Sequence, residues 1–235
     1  FYRLGDFYEM FFEDALLASR ELELTLTGRD CGQEERAPMC GVPYHAYETY
    51  VGRLVRKGYK VAICEQVEDP KAAKGIVKRE IVRMITPGTV IDASMLDENR
   101  NNFLGCAFGD ATAYGICFCD ISTGEVYVTE IQGTANHQEL FSEFGRFVPR
   151  EVLLGGTCAQ DTTLQEFIQK RLEGIFSILP EEDFDMEAAS QAVCAQFHLG
   201  ELETSGLADA PVALRALAGL LAYLNETQQS SLANL

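Results

Sequence analysis

The stretch Gly5-Asp6-Phe7-Tyr8-Glu9-Met10-Phe11 sets an aromatic ring and a carboxylate two positions apart behind a Gly-Asp turn. In a strand, alternate residues share a face, so Phe7 and Glu9 point one way and Tyr8 the other. Burying Phe7 would draw Glu9 toward the core with it, where an unpartnered carboxylate is costly. Left outside, the pair suits a different chemistry, in which the ring stacks on a flat heterocycle while the carboxyl group hydrogen-bonds that ring's edge. A second concentration of chemistry is KAAKGIVKREIVR (71–83), in which Lys71, Lys74, Lys78, Arg79 and Arg83 are set against one acid, Glu80. Such a run is either a solvated edge strand, where Lys discourages sheet-to-sheet pairing, or a contact for phosphates. The third candidate is Asp120, which ends the run AYGICFCD ahead of Ser122-Thr123-Gly124. It either opens a polar turn or supplies the first carboxylate of a metal-dependent nuclease, which needs further carboxylates at the same end. Glu130, Glu139 and Glu151 hold no position that singles them out for that role.

Several chemistries are excluded. No Gly-Lys pair occurs, so there is no phosphate-binding loop of the G-x-x-x-x-G-K-[ST] type. The three histidines (His45, His137, His198) stand near no nucleophile pattern, and the eight cysteines form no C-x-x-C pair. Cys64, Cys106, Cys117 and Cys194 lie in apolar runs, as free buried thiols do, and a reduced, cytoplasmic setting is expected. No apolar run approaches the roughly 20 residues needed to span a bilayer. The chain opens at Phe1 without Met or a signal peptide, which reads as a piece of a longer protein.

The elements that must position these residues follow from periodicity. A strand over 1–4, the Gly5-Asp6 turn and a strand through Phe11 are expected, then a helix at 13–21, a strand at 22–27 and a loop over 28–44. Tyr47, Val51, Leu54 and Val55 define a helix stopped by Gly58, and strands at 59–67 and 76–85 complete a mixed α/β unit. The polar cluster DENRNN (97–102) marks a boundary. Beyond it come strands at 103–109, 113–121 and 125–131, and a helix at 135–147. A strand at 151–156, a helix carrying Leu164, Phe167, Ile168 and Leu172, a strand at 175–179 and helices near 185–198 and 210–226 make a second α/β unit. The net charge of −17 is unevenly spread. Residues 1–98 carry 13 basic and 17 acidic side chains, and residues 99–235 carry 6 and 19. A polyanion would therefore meet the first unit, and the acidic second one would repel it.

With these residues in view, the chain resembles the MutS family of DNA mismatch-recognition proteins. The likeness rests on FYRLGDFYEMFFEDA (1–15), PMCGVPYHA (38–46), VAICEQVEDP (61–70) and VRMITPGT (82–89), dense and in order, and more loosely on DISTGE (120–125) and the helix before NETQQSSL. The resemblance implies a mismatch-binding domain over 1–98 and a connector with a ribonuclease H-like α/β fold, without nuclease activity, over 99–235. It implies that Phe7 enters the minor groove and stacks on the mispaired base, and that Glu9 hydrogen-bonds that base. Arg29, Met39, Lys71, Lys74, Lys78 and Arg79 become candidates for contacts to the groove and backbone. A neutral carboxyl donates to a purine nitrogen and an ionised one does not, so Glu9 is expected to meet the base protonated. The implied partners are mismatched double-stranded DNA, MutL through the connector, and a second subunit. The ATPase, with its ATP and magnesium, is expected outside this stretch, which carries no cofactor of its own. The implied setting is the bacterial cytoplasm, at the nucleoid. Two other readings stand beside this one: a nuclease centred on Asp120, and a pure protein-interaction module.

Overall fold

The alternation of the first residues closes a hairpin. In the computed structural model, which describes residues 1–32, 35–68, 77–97, 100–134, 137–200 and 202–228, strands β1 (Tyr2–Leu4) and β2 (Phe7–Phe11) are antiparallel and joined by Gly5-Asp6. Gly5 takes φ +61°, the left-handed geometry that a two-residue hairpin asks of its first central residue and glycine adopts without steric cost. Helix α1 (Phe12–Leu22) follows at once and buries Ala15, Ala18 and Leu22.

The strand expected at 22–27 is not formed. The helix instead runs through Leu22 and ends on Glu23, whose N–H reaches the carbonyl of Ser19. Lys57 Nζ donates to the Glu21 carbonyl at 3.0 Å and Arg53 Nη1 to the Leu22 carbonyl at 3.3 Å. Cations thus satisfy carbonyls that a helix C-terminus leaves without partners. The strand survives only as β3 (Thr27–Arg29). The segment 28–44, expected as loop, holds β4 (Ala37–Pro43), with Cys40 and Val42 buried and Met39, Gly41 and Pro43 on the other face. Two prolines and a glycine hide that alternation, because they count against a central strand. The Tyr44 N–H donates to the Asp6 carbonyl at 2.9 Å. That bond brackets the Phe7–Pro43 pair, so Pro43 stands where the ladder needs no N–H.

Helix α2 (Tyr47–Arg56) and strands β5 (Val61–Gln66) and β6 (Arg79–Ile85) complete a six-stranded sheet in the order β3-β4-β2-β1-β5-β6. Every neighbouring pair is antiparallel except β1 and β5, which meet in parallel at Tyr2 and Cys64. Both helices pack on the face that carries Tyr8 and Cys40, where Cys40 Sγ lies 3.5 Å from the Ala15 carbonyl and the Tyr8 ring 4.8 Å from that of Tyr47. Among the described residues, no helix covers the opposite face.

The chain divides into two compact units, Phe1–Thr86 and Pro87–Leu235. The second opens with the antiparallel strands β7 (Leu104–Gly109), β8 (Ala113–Asp120) and β9 (Glu125–Gln132). Helix α3 (Gln138–Phe147) leads to β10 (Glu151–Gly156), and α4 (Thr162–Arg171) to β11 (Ile175–Ile178). The order is β11-β10-β7-β8-β9, with β10 parallel to both its neighbours. This hairpin-ordered trio, extended by two parallel strands, is the α/β arrangement expected of a ribonuclease H-like fold. Leu140, Phe144, Leu164 and Ile168, from α3 and α4, belong to one core. Helices α5 (Met186–Gln196) and α6 (Pro211–Gln228) contribute Val193, Leu217, Leu221 and Leu224 to a second. With helices over both faces, every residue of β8 is buried, which accounts for its nearly unbroken apolar run.

Helix α6 is seated by its first turn. Glu130 Oε2 accepts from the N–H groups of Val212 and Ala213 at 2.8 and 3.0 Å, placing a negative charge at the helix N-terminus. The helix comes so close to the sheet that a Cβ on Gly115 would stand 2.0 Å from the Val212 carbonyl oxygen. Gly115→Ala is therefore expected to destabilise this unit by about 1–3 kcal/mol. Gly145→Ala, on an exposed turn of α3 with open space around it, should stabilise it by about 0.5–1 kcal/mol; urea unfolding compares the two.

All eight cysteines are free. Burial pushes the Cys119 and Cys158 thiols up to about 12, so essentially no thiolate is present there at pH 8. With an aromatic disulfide reagent at pH 8, exposed Cys31 should react first, and the buried thiols should appear only when the protein unfolds. Fast reaction of several thiols in the native state would contradict this packing.

Candidate nucleic-acid interface

The two-residue period of β2 divides its side chains cleanly. Tyr8 and Met10 are buried, while Phe7 is 47% exposed and Glu9 half-buried on the open face. Cross-strand register shows what surrounds them: Phe7 stands between Leu4 and Pro43, Glu9 between Tyr2 and Gly41, and Phe11 beside Met39. Met39 pairs in turn with Thr27, and Arg29 follows two residues on. Partners in register share a face, so the sheet brings Phe7, Glu9, Arg29 and Met39 to one surface.

Glu9 is not left as a bare anion there. Arg29 Nη1 donates to Glu9 Oε2 at 2.9 Å, its guanidinium carbon passing 5.9 Å from the centre of the Phe11 ring. Gly41 makes room for this geometry. A Cβ at that position would stand 3.2 Å from the Tyr8 carbonyl oxygen and 3.4 Å from Glu9 Cγ. On the far side, the Arg79 guanidinium lies 5.4 Å from the centre of the Tyr2 ring, with Nε donating to the Arg3 carbonyl at 3.0 Å and Nη1 to that of Val77 at 2.8 Å. The surface therefore offers an exposed ring and a carboxylate with a guanidinium to each side. A ring free to stack, a group able to bond a base edge and cations for phosphates are the parts a groove-binding surface needs.

The remaining basic candidates fare differently. Lys78 is ion-paired with Glu80, and that hydrogen bond raises its ammonium above its ordinary value. Lys71 and Lys74 lie outside the described residues. Tyr2, Gly41 and Pro43, which floor the surface beside the two principal residues, were not singled out by sequence alone. The alternation of β4 was the available signal, obscured by its prolines.

On the reverse face, Tyr8 is held on all sides. Its hydroxyl donates to Glu65 Oε1. Its ring lies 4.8 Å from that of Tyr47 and 5.8 Å from that of Tyr44, over which the Arg3 guanidinium stacks at 3.4 Å. Burial first, and the hydrogen bond to Glu65 second, raise the Tyr8 phenol well above its ordinary value. A folded-state value above the unfolded one gives stability that is complete below about pH 10 and lost as pH rises further. Alkaline destabilisation of the first unit should therefore be weaker in Tyr8→Phe than in the wild type, as thermal unfolding between pH 8 and 11 would reveal.

Asp120 has a structural occupation. It is 1% exposed, its Oδ2 accepts from the Asn102 N–H at 2.9 Å, and its Oδ1 from the Ser122 N–H and hydroxyl at 3.0 and 2.6 Å. It opens the turn into β9. Glu130 caps α6, and buried Glu151 accepts from the Tyr223 hydroxyl at 2.7 Å and the Gly88 N–H at 3.1 Å. Among the described residues, no group of three or more His, Cys, Asp or Glu side chains is placed to hold a metal ion.

Comparison with known proteins adds independent findings. A family model described as MutS domain I matches residues 1–94, and one described as MutS domain II matches residues 102–235. The DNA mismatch repair protein MutS of Lachnoclostridium phytofermentans is 49% identical over all of this chain and 25% of its own length. Its counterpart in Ruminiclostridium cellulolyticum is 47% identical over all of this chain and 27% of its own length, and that of Alkaliphilus metalliredigens 48% identical over 99% and 26%. The chain thus spans about a quarter of the length of these relatives.

Proposed function

The chain belongs to the MutS family, and we propose that its first unit recognises mismatched DNA through the open face of its sheet. Phe7 enters the minor groove and stacks on a mispaired or unpaired base, and Glu9 hydrogen-bonds that base. Arg29, Met39 and Arg79, with Lys71, Lys74 and Lys78, contact the groove and backbone around them. The observation that carries this reading is the half-exposed Phe7 on the same face as a carboxylate whose charge is met by Arg29.

The physics of discrimination follows. An apolar wedge between base steps costs a few kcal/mol of unstacking and kinks the duplex. A mispaired base is already poorly stacked, so the same kink costs less there. Stacking returns about 1–3 kcal/mol per base whatever the ring, so the surface reads deformability rather than base identity. On a matched duplex the bond from Glu9 is not formed, and its carboxyl group is left facing phosphates.

On this reading residues 1–98 form the mismatch-binding domain and residues 99–235 the connector. The connector links the first unit to the rest of the parent protein and offers its acidic surface to MutL. ATP and magnesium are handled by the parts of the parent beyond this stretch, where a second subunit also joins. The parent works in the bacterial cytoplasm, at the nucleoid. Among the described residues, no helix is long and apolar enough to cross a membrane.

In the full-length parent at one salt concentration, Phe7→Ala should collapse the ratio of mismatch to homoduplex affinity toward one. The loss corresponds to about 5- to 150-fold if stacking is worth 1–3 kcal/mol, with homoduplex affinity nearly unchanged. A ratio that survived would put recognition elsewhere in the protein.

A further inference from the structure

The first sheet has a narrow seam. The strands that carry the open-face pair, β3-β4-β2-β1, are laced together antiparallel over several residues at most steps. The β5-β6 hairpin, whose β6 carries the basic residues from Arg79, is likewise laced to itself. Between the two blocks the ladder pairs only Tyr2 with Cys64 among the described residues, in the weaker parallel mode. The main-chain hydrogen bonds across the seam gather at the start of β1, from the Cys64 N–H to the Phe1 carbonyl at 2.9 Å and from the Phe1 nitrogen to the Ala62 carbonyl at 3.0 Å, and so do less to fix the angle between the block bearing Phe7 and Glu9 and the block bearing the basic residues.

A side-chain contact spans this seam directly beneath the wedge. Tyr8, the residue between Phe7 and Glu9, reaches under β1 and donates its hydroxyl to Glu65 on β5. The ring is 1% exposed and wedged against Tyr44 and Tyr47, so the hydroxyl has little freedom to move unless the strand moves with it. Because its phenol is raised, the group remains a donor at every pH at which DNA binding is measured. A hydrogen bond to a carboxylate is of the stronger, charge-assisted kind. On the upper side, Arg79 Nε donates to the Arg3 carbonyl and closes the same seam between β6 and β1.

We infer that Tyr8 and Glu65 are positioning residues for mismatch recognition, a clasp that registers the Phe7–Glu9 pair against the basic hairpin. The inference rests on the reading of Phe7 and Glu9 given above. Homoduplex binding draws on phosphate contacts that tolerate small misplacements. Inserting a ring at one base step while both flanks hold the backbone does not tolerate them, because productive geometry must be held within about 0.5 Å.

The test measures mismatch and homoduplex affinities in the full-length parent for four variants: Tyr8→Phe, Glu65→Gln, Glu65→Leu and, as reference, Phe7→Ala. Thermal unfolding accompanies each. Tyr8→Phe and Glu65→Leu should lower the mismatch-to-homoduplex ratio by about 5- to 10-fold, the equivalent of one hydrogen bond, while homoduplex affinity stays within about twofold of wild type. Glu65→Gln keeps an acceptor for the hydroxyl and should retain a near-wild-type ratio. An unchanged ratio in Tyr8→Phe would overturn the clasp, as would equal losses on both duplexes, which mark damage to the fold rather than to aiming. Should Tyr8→Phe unfold the domain, the contrast between Glu65→Gln and Glu65→Leu decides alone. If Phe7→Ala itself leaves the ratio intact, the functional reading fails first; if only Phe7→Ala collapses it, that reading stands without the clasp.

Discussion

Everything in the first unit depends on the two-residue period of β2. Adjacent side chains of one short strand have opposite roles, Tyr8 and Met10 carrying the core while Phe7 and Glu9 are released from it. A shift of one residue in register would exchange the two sets and bury the carboxylate. The register is held from both sides, by the Gly5-Asp6 hairpin on one flank and by pairing with β4 on the other. Gly41 and Pro43 fit this arrangement because one leaves room for the Glu9 side chain and the other occupies a ladder position that needs no N–H.

The second unit answers a different demand. Its sheet is covered on both faces, so its central strands are almost entirely apolar and several of its carboxylates are spent inside the fold. Asp120 opens a turn, Glu130 seats α6, and Glu151 gathers Tyr223 and Gly88. Acidic side chains that composition alone would count as a repulsive surface are thus partly internal structural groups. A unit built this way is a firm spacer, which suits a domain proposed to connect and to dock rather than to touch DNA.

Much of this was legible in the sequence. The β-hairpin, the helix over 47–56 and nearly every element of the second unit follow from spacing, because amphipathic periodicity and packing agree there. The same-face relation of Phe7 and Glu9 needs only the strand period. Less legible was the region from 22 to 43. The C-terminal end of α1, through Leu22 to its cap at Glu23, draws on Lys57 and Arg53, which lie more than thirty residues away in the chain and reach its last carbonyls only after folding. Strand β4 was hidden because residues that break strands in general are here matched to specific ladder positions. The ion pair between Arg29 and Glu9 lies beyond any local pattern, since it requires β3 and β2 to be brought to either side of β4. Conversely, the resemblance of the opening motifs to MutS reached the family directly, while the physical reading explains why those motifs have that spacing.

The central claim is that Phe7 is the group that meets the mispaired base. The most direct test places a photoactivatable benzophenone side chain at position 7 of the full-length parent and maps the crosslinked nucleotide on duplexes with the mismatch at several positions. If Phe7 meets that base, the crosslink falls on the mismatched or adjacent nucleotide and moves with it. A crosslink spread along the duplex irrespective of the mismatch, or none from position 7 under conditions where mismatch binding is intact, would contradict it.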